Sequence, residues 1–343
     1  MAFAAIQAIT ILSPPNSNTR KPKNELRSER SDPAKKNKHM KTLQRIIPIL
    51  LCAFAANLAF AAPASDIPQR KRLSPEAVRV VSANIRMPIA GDKKSGNDWD
   101  KRKELLRDTL LAQDADIICF QEFHPSYFDE LKKSFPDYHA YGFVDTDEGR
   151  KVNTVFYSAK RFEKISEGGA FLSPTPDVYR SKVPESSHVR HFVRIHLKDR
   201  LTGRELLLWN THFDHKSQVA RDKQGVVLAD FLKKQPAGIP QIVAGDLNCS
   251  AETDAIKTIK AAGFTDSHTA IHGPGEPGYT YHGFKGLDYG RPRGKIDFVF
   301  CNDALRPTAA EIIKDSRSID GVRRYPSDHY FLSAEFEYAK TKK

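Results

Sequence analysis

The sequence predicts a layered α/β domain, and three observations point to it. Short runs rich in Val, Ile and Leu alternate with longer stretches of helical periodicity. No internal repeat, low-complexity tract or linker divides the chain after residue 75. The polar residues with chemical potential fall just after apolar runs, where sheet proteins carry their sites.

In chain order, the AVRVVSAN run at 77–84 reads as a buried strand. A helix follows at 99–112, capped by Asn97 or Asp98, with Leu105, Leu106 and Leu110 on one face. DIICFQ at 116–121 is a second strand, 125–134 a short helix, and 138–144 and 152–157 two further strands. Residues 189–197 alternate, with Val189, Val193, Ile195 and Leu197 on one face and Arg190, Phe192, Arg194 and His196 on the other. That pattern describes a half-buried strand showing arginines to an open side. ELLLWNTH at 205–212 is a wholly apolar strand that ends abruptly in polar residues. The remaining elements are a helix at 218–234, a strand at 241–244, a helix at 253–262, and strands at 295–300 and 310–314. A closing strand at 330–338 turns Tyr330, Leu332, Ala334, Phe336 and Tyr338 to one face.

The 343 residues are 40% apolar, which excludes collagen-like, disulfide-stapled and multi-span membrane classes. Net charge is +12, but the first 61 residues hold ten Lys/Arg against three Asp/Glu, leaving only +5 for the rest. So mild a surplus is compatible with attraction to phosphate and equally with a solvated surface. From Met40, a basic start (Lys41, Arg45), an apolar stretch and the Ala59-Phe60-Ala61 triplet make a secretory signal peptide at 40–62. The stretch is shorter than a membrane span needs and contains Pro48 and Asn57, so no stable membrane anchor is expected. Cys52 follows Leu51 rather than a small residue, which argues against lipid attachment. Residues 1–39 read as a disordered extension or a start assigned too far upstream, and 63–75 as a linker. The expected mature protein is a secreted or periplasmic monomer with one domain at 76–340. Its cysteines, Cys119, Cys249 and Cys301, form no disulfide or zinc pattern and read as buried small hydrophobes.

Asn84, Glu122, His212, Asp246, Asn248, Asp297, Asp328 and His329 all stand at strand ends. One such residue alone is usually a cap or a turn former. Together they contain what metal-assisted phosphoester hydrolysis needs. Mg²⁺ takes hard oxygen ligands, which Glu122, Asp328 and the Asn84 amide can supply, and Mn²⁺ can substitute. A His paired with a carboxylate, His329 with Asp297, can take the proton of an attacking water. His212 and Asn248 can donate to the charge that develops on phosphorus.

The words SANIR, CFQEFH, NTHFDH, AGDLN, GKIDFVF and YPSDHY occur here in the order of the endonuclease/exonuclease/phosphatase superfamily. The sequence resembles that superfamily over about 77–338, and within it a bacterial branch of unassigned substrate, through NTVFY at 153–157, THFDH and YHGFKG at 281–286. The resemblance implies a four-layer α/β/β/α sandwich of two mixed sheets with outer helices. It implies Glu122 as principal Mg²⁺ ligand with Asn84 and Asp328, Asp246 as the group that orients or deprotonates water, and Asn248 on the phosphate. Asp297 with His329 would be the carboxylate–imidazole pair and His212 a second active-site histidine; which group is the base stays open. Arg190 and Arg194 are candidates for binding substrate phosphate, and Tyr157 for lining the site. Trp99, Asp100 and Arg102 are expected to start a helix and fix the loop behind Asn84. The loop at 263–293, rich in Gly, His and Tyr, is expected to shape the substrate mouth.

Where the apurinic-endonuclease branch places an Asp two residues after its Asn, this chain has Arg86, which speaks against a base-excision role. The expected substrate is a phosphodiester in nucleic acid or nucleotide, or a phosphorylated small molecule. Monoester hydrolysis of sugar or inositol phosphates, or ligand binding on an inactive scaffold, are the alternatives. A zinc motif of the HxHxDH type is also suggested by THFDH, but Asn210 stands at its first histidine and the surrounding words are out of order.

Overall fold

A computed structural model describes residues 65–143, 151–276, 278–290 and 294–340. The expected signal peptide, the segment before it, the first residues of the linker and Val144 of the expected strand lie outside them. In chain order the elements are β1 (Val78–Asn84), α1 (Ala90–Ser95), α2 (Trp99–Ala112), β2 (Ile117–Gln121), α3 (Pro125–Ser134), β3 (Tyr138–Gly142) and β4 (Thr154–Ser158). Next come β5 (Phe162–Phe171), β6 (His191–Asp199), β7 (Glu205–His212), α4 (Gln218–Lys233), β8 (Gln241–Asp246), α5 (Asp254–Ala261), β9 (Phe264–Asp266) and α6 (Ser267–His272). The chain ends with β10 (Asp297–Asn302), β11 (Leu305–Ile313), β12 (Arg317–Ile319), β13 (Val322–Arg324) and β14 (Phe331–Tyr338).

Two six-stranded mixed sheets form, in the orders β11-β14-β1-β2-β4-β3 and β5-β6-β7-β8-β10-β9, and β12 and β13 pair as a separate hairpin. Alternation explains their stacking. Val78, Val80, Ile117 and Leu332 of the first sheet meet Val193, Ile195, Leu208 and Val299 of the second in one buried core. The opposite face of the first sheet, with Val81, Ile118 and Phe120, packs on Leu106 and Leu110 of α2 and Leu131 of α3. The opposite face of the second, with Trp209 and Phe298, packs on Leu228 and Leu232 of α4 and Ile256 of α5. These are the four layers of the α/β/β/α sandwich.

The helices α2 and α3 keep the expected bounds, and Asp98 is the N-terminal residue flanking α2. Several strands are displaced. The strand expected at 189–197 runs His191–Asp199; on its outer side Phe192 packs against Trp209 and Phe231, while Arg194 and His196 are half-buried and Lys198 is exposed. β5 went unread since it carries Gly168 and Gly169 and only an edge face. A Cβ at Gly169 would lie 2.4 Å from the Phe192 carbonyl oxygen, so strand pairing there requires glycine. β11 is longer than expected because Pro307 sits at a bulge on an edge strand, which a periodicity reading cuts short.

Polar ties cross the layers. Gln121 Nε2 donates to Asn210 Oδ1 at 2.8 Å, and Asn210 Nδ2 donates to the Phe120 and Thr154 carbonyls at 2.8 and 3.2 Å, joining the two sheets next to the site. Asn210 is thus a structural link, not a misplaced zinc ligand. Arg79, opposite Glu335 in the β1–β14 register, is buried with it. Its guanidinium also donates to the Arg70, Lys71 and Gln113 carbonyls. Replacing Arg79 by Ala strips the buried Glu335 carboxylate of its cation, leaving it the Leu73 N–H, and takes a donor from three carbonyls, so a loss of about 3–5 kcal/mol is expected in urea unfolding. Arg79→Met combined with Glu335→Leu is expected to recover most of it, since no charge is then stranded.

Candidate active site

The strand pairing assembles the site. In the second sheet, parallel pairing of β7 with β8 sets His212 beside Asp246, and antiparallel pairing of β8 with β10 sets Asp297 opposite Asp246. In the first sheet, Asn84 pairs with Gln121, and Glu122 is the next residue. Asp328 and His329 lie one residue before β14, the antiparallel neighbour of β1. Eight residues from six strand ends therefore meet at one edge of both sheets. A Cβ at Gly245 would lie 2.1 Å from the Thr211 carbonyl oxygen, so the glycine of AGDLN permits the approach that brings Asp246 to His212.

The centre is buried and tightly paired. His329 Nδ1 lies 2.9 Å from Asp297 Oδ2, and its Nε2 faces Asp246 Oδ2 at 3.8 Å. Burial opposes the imidazolium, but Asp297 and Asp246 outweigh it and push the His329 pKa up to about 10. Burial and the nearby Asp297 push the Asp246 carboxyl up. Asn84 Nδ2 donates to Asp246 Oδ2 at 3.0 Å and to Glu122 Oε1 at 3.2 Å, linking carboxylates from the two sheets. The Met87 N–H holds Glu122 Oε2 at 2.9 Å.

His212 is fully buried, and burial together with Arg190 and His329 lowers its pKa well below the ordinary value. Its Nε2 lies 2.9 Å from Asn248 Nδ2 and 3.4 Å from Asp246 Oδ2. Asn248 also donates to the Phe213 carbonyl at 3.2 Å. His212 and Asn248, both expected to donate to the charge on phosphorus, thus stand side by side against Asp246. His329 is the charged donor of the centre.

Asp328 is buried beside the other acids, but Arg86 Nη1 binds its Oδ2 at 2.9 Å and Ser327 Oγ lies 3.3 Å from its Oδ1. Arg86 thus pairs with an acid expected among the metal ligands, which the Glu122 carboxylate also feels. Arg86 was read only as a departure from a motif. Its guanidinium also binds both oxygens of Asp92 on α1, a helix of one and a half turns too short for periodicity to show. Arg102 fulfils its expected part, donating to the Ile85, Arg86 and Pro326 carbonyls at 2.6, 2.7 and 3.0 Å while its guanidinium lies over Trp99. Asp100 pairs only with Lys103 at the surface. Arg86, Glu122 and Asn248 all have left-handed backbones, φ 61°, 56° and 53°, a strain that concentrates at functional sites.

Arg190 reaches the edge of the centre, 3.3 Å from His215 Nδ1. Arg194 does not: it pairs across from Trp209, back along the sheet, and its charge acts on Tyr141. Tyr157 is also corrected. It lies in the core between the sheets opposite Ile117, at the start of β2, whereas Glu122 follows that strand's end. Strand alternation turns it inward. Residues 280–282 of the expected 263–293 loop brace the site: Thr280 Oγ1 accepts from the Asp297 N–H at 3.2 Å, His282 N–H donates to the Asp328 carbonyl at 2.9 Å, and the Tyr281 ring lies 5.1 Å from His329.

Asp246, Asp297 and His329 offer ligand atoms within 4.8 Å of one another, and Asp297 Oδ1 is buried with no hydrogen-bond partner. An orphaned carboxylate oxygen beside Asp246, in a centre that Asn84 links to Glu122, fits a hard divalent cation. The three cysteines are buried and free. Among the described residues, no helix is long and apolar enough to cross a membrane.

Fold and site define a class: a two-sheet sandwich with a carboxylate and imidazole centre at the common edge of both sheets. The chain belongs to the Endonuclease/Exonuclease/phosphatase family, which residues 81–329 match. It is 25% identical over 293 residues to nocturnin of Mus musculus, covering 76% of this chain and 66%, just under two thirds, of that protein. Two solved structures from Bacteroides thetaiotaomicron share the fold. One, an endonuclease/exonuclease/phosphatase family protein, has TM-score 0.70 and 23% identity over 78% of this chain and 100% of its own. The other, a mannosyl-6-phosphatase, has TM-score 0.69 and 24% identity over 76% of this chain and 100% of its own.

Proposed function

We propose that this chain is an exported, monomeric, metal-dependent phosphoesterase using Mg²⁺, with Mn²⁺ able to substitute, on a phosphodiester of nucleic acid or nucleotide or on a phosphorylated small molecule. The observation that carries the reading is the buried Asp246–Asp297–His329 cluster joined through Asn84 to Glu122. Glu122, with Asn84 and Asp328, would hold the cation, which supplies Lewis-acid polarisation of a phosphoryl oxygen and a more acidic water. Asp246 Oδ2, its basicity raised by burial, orients and accepts the proton of the attacking water. His329 Nε2–H, kept charged by Asp297, faces the same space and stabilises the charge that develops on the phosphoryl group. Family membership supports phosphoester chemistry. Likeness to a mannosyl-6-phosphatase favours, as a second reading, monoester hydrolysis on phosphorylated sugars.

The test is hydrolysis of bis-p-nitrophenyl phosphate against p-nitrophenyl phosphate by protein beginning at Pro63, with Mg²⁺, with Mn²⁺ and with chelator. Cleavage of either that is lost on chelation is expected, and the preferred compound decides between diester and monoester. Activity that survives full chelation would overturn the metal-dependent reading.

A further inference from the structure

The guanidinium of Arg86 stands at the acidic centre, and the hydrolysis derived above gives it no part. We propose that it occupies the place of a second metal ion, so that the centre takes a single divalent cation. The inference rests on the metal-dependent phosphoesterase reading and fixes how many ions it uses.

The guanidinium lies between two buried carboxylates. Its Nε and Nη2 bind the two oxygens of Asp92 at 3.1 and 3.2 Å, and its Nη1 binds Asp328 Oδ2 at 2.9 Å. Asp92 is 8% exposed and Asp328 3%, so each needs a cation to keep its charge. Burial opposes the guanidinium charge, but Asp92, Asp328 and Glu122 outweigh it and push the Arg86 pKa above the ordinary value. A divalent ion between the same acids would be held by the same attraction. The backbone fixes the side chain there. The Arg86 N–H donates to Asn84 Oδ1 at 3.1 Å, and the Arg86 carbonyl accepts from Arg102 Nη2 at 2.7 Å and from the Tyr127 hydroxyl at 3.2 Å. These three bonds hold its left-handed φ of 61°.

Asp328 divides between two cations. Ser327 Oγ stands 3.3 Å from its Oδ1, but the one hydrogen of that hydroxyl goes to the Asn84 carbonyl at 2.7 Å. Oδ1 is thereby left for a divalent ion shared with Glu122, while Oδ2 is closed by Arg86. A second ion would have to displace the guanidinium from both Asp92 and Asp328. It would also meet Arg102, whose charge acts on Asp328 as well. A purely structural tie of α1 to the site would bind Asp92 equally well, and the number of ions held separates the two roles.

The experiment counts bound Mn²⁺ through the electron paramagnetic resonance of the free ion, in titrations of the whole chain, of Arg86→Gln, of Arg86→Lys and of Arg86→Gln/Asp92→Asn. Ions held with Kd below about 100 μM are scored. The native chain and Arg86→Lys are expected to hold one, because the lysine keeps a cation between the acids. Arg86→Gln is expected to hold two, the second replacing the lost charge, and adding Asp92→Asn should return the count to one. Thermal unfolding accompanies each titration; if Arg86→Gln is unfolded without metal, Mn²⁺ is expected to restore the fold with two ions bound. Two ions on the native chain would overturn the inference and leave the metal-dependent reading standing. One ion on Arg86→Gln, or failure of saturating Mn²⁺ to refold it, would show Arg86 to be a structural tie alone. A second ion on Arg86→Lys, or one that persists in the double variant, would place it away from the guanidinium and also overturn the inference. No ion on the native chain would overturn the metal-dependent reading and this inference together.

Discussion

Glu122→Gln is expected to lower phosphoester hydrolysis on the order of 10³-fold at saturating Mg²⁺ while the protein stays folded. Its carboxylate stands at the junction of the two sheets, bound by the Asn84 amide from β1 and the Met87 N–H. Gln keeps the shape and one acceptor but removes the charge that a divalent cation requires. The cost to folding is expected to be about 1 kcal/mol, because one hydrogen bond to Asn84 or Met87 is weakened. Isothermal titration with Mg²⁺ separates the effects: the variant should show at least tenfold weaker metal binding beside the lost activity. Unchanged Mg²⁺ affinity would mean that Glu122 is not among the metal ligands.

Asp297→Asn is expected to cost roughly 10²–10⁴-fold in the same assay. The amide can still accept from His329 Nδ1, so geometry is retained and only the field changes. In the native protein the His329 pKa is about 10 against an ordinary 6.5, so the imidazolium's contribution to stability is fully present below about 6.5 and is lost as pH rises through about 10. Removing Asp297 takes away the larger of its two supports. With metal chelated, the stability gap between native protein and variant in urea unfolding should therefore narrow from pH 7 to pH 10. A gap that stays constant over that range would show that His329 is neutral in the native state. The imidazole ¹⁵N shifts give a second reading: His329 should remain charged at pH 8 in the native protein and not in the variant.

The strand ends were legible because apolar runs stop abruptly at them, and six ordered words named Asn84, Glu122, His212, Asp246, Asn248, Asp297, Asp328 and His329, all of which the fold brings together. What stayed hidden has physical reasons. Arg86 binds Asp328 across 242 positions of chain, and no local pattern announces a long-range ion pair. The lowered pKa of His212 depends on burial and on Arg190 and His329, which only the three-dimensional arrangement supplies. Tyr157 and Arg194 shared the polarity expected of site residues, but a strand turns successive side chains to opposite faces, and the register sent both elsewhere. β5 lacked a two-sided apolar signature because it is an edge, and α1 lacked length.

The order of strands in the first sheet carries a further meaning for how the molecule is made. β1 and β14 are neighbours, with Val78 opposite Phe336, although nearly the whole domain separates them in the chain. During synthesis, β1 waits with one side unpaired until the final strand has emerged. Contacts of such large sequence separation form slowly, because a long loop must close first. Asp328 and His329 ride on that same final segment, so the sheet and the reactive centre are completed in a single late event. A half-made or C-terminally clipped chain would therefore hold no partial activity, which keeps a hydrolytic centre from maturing before the domain around it is whole.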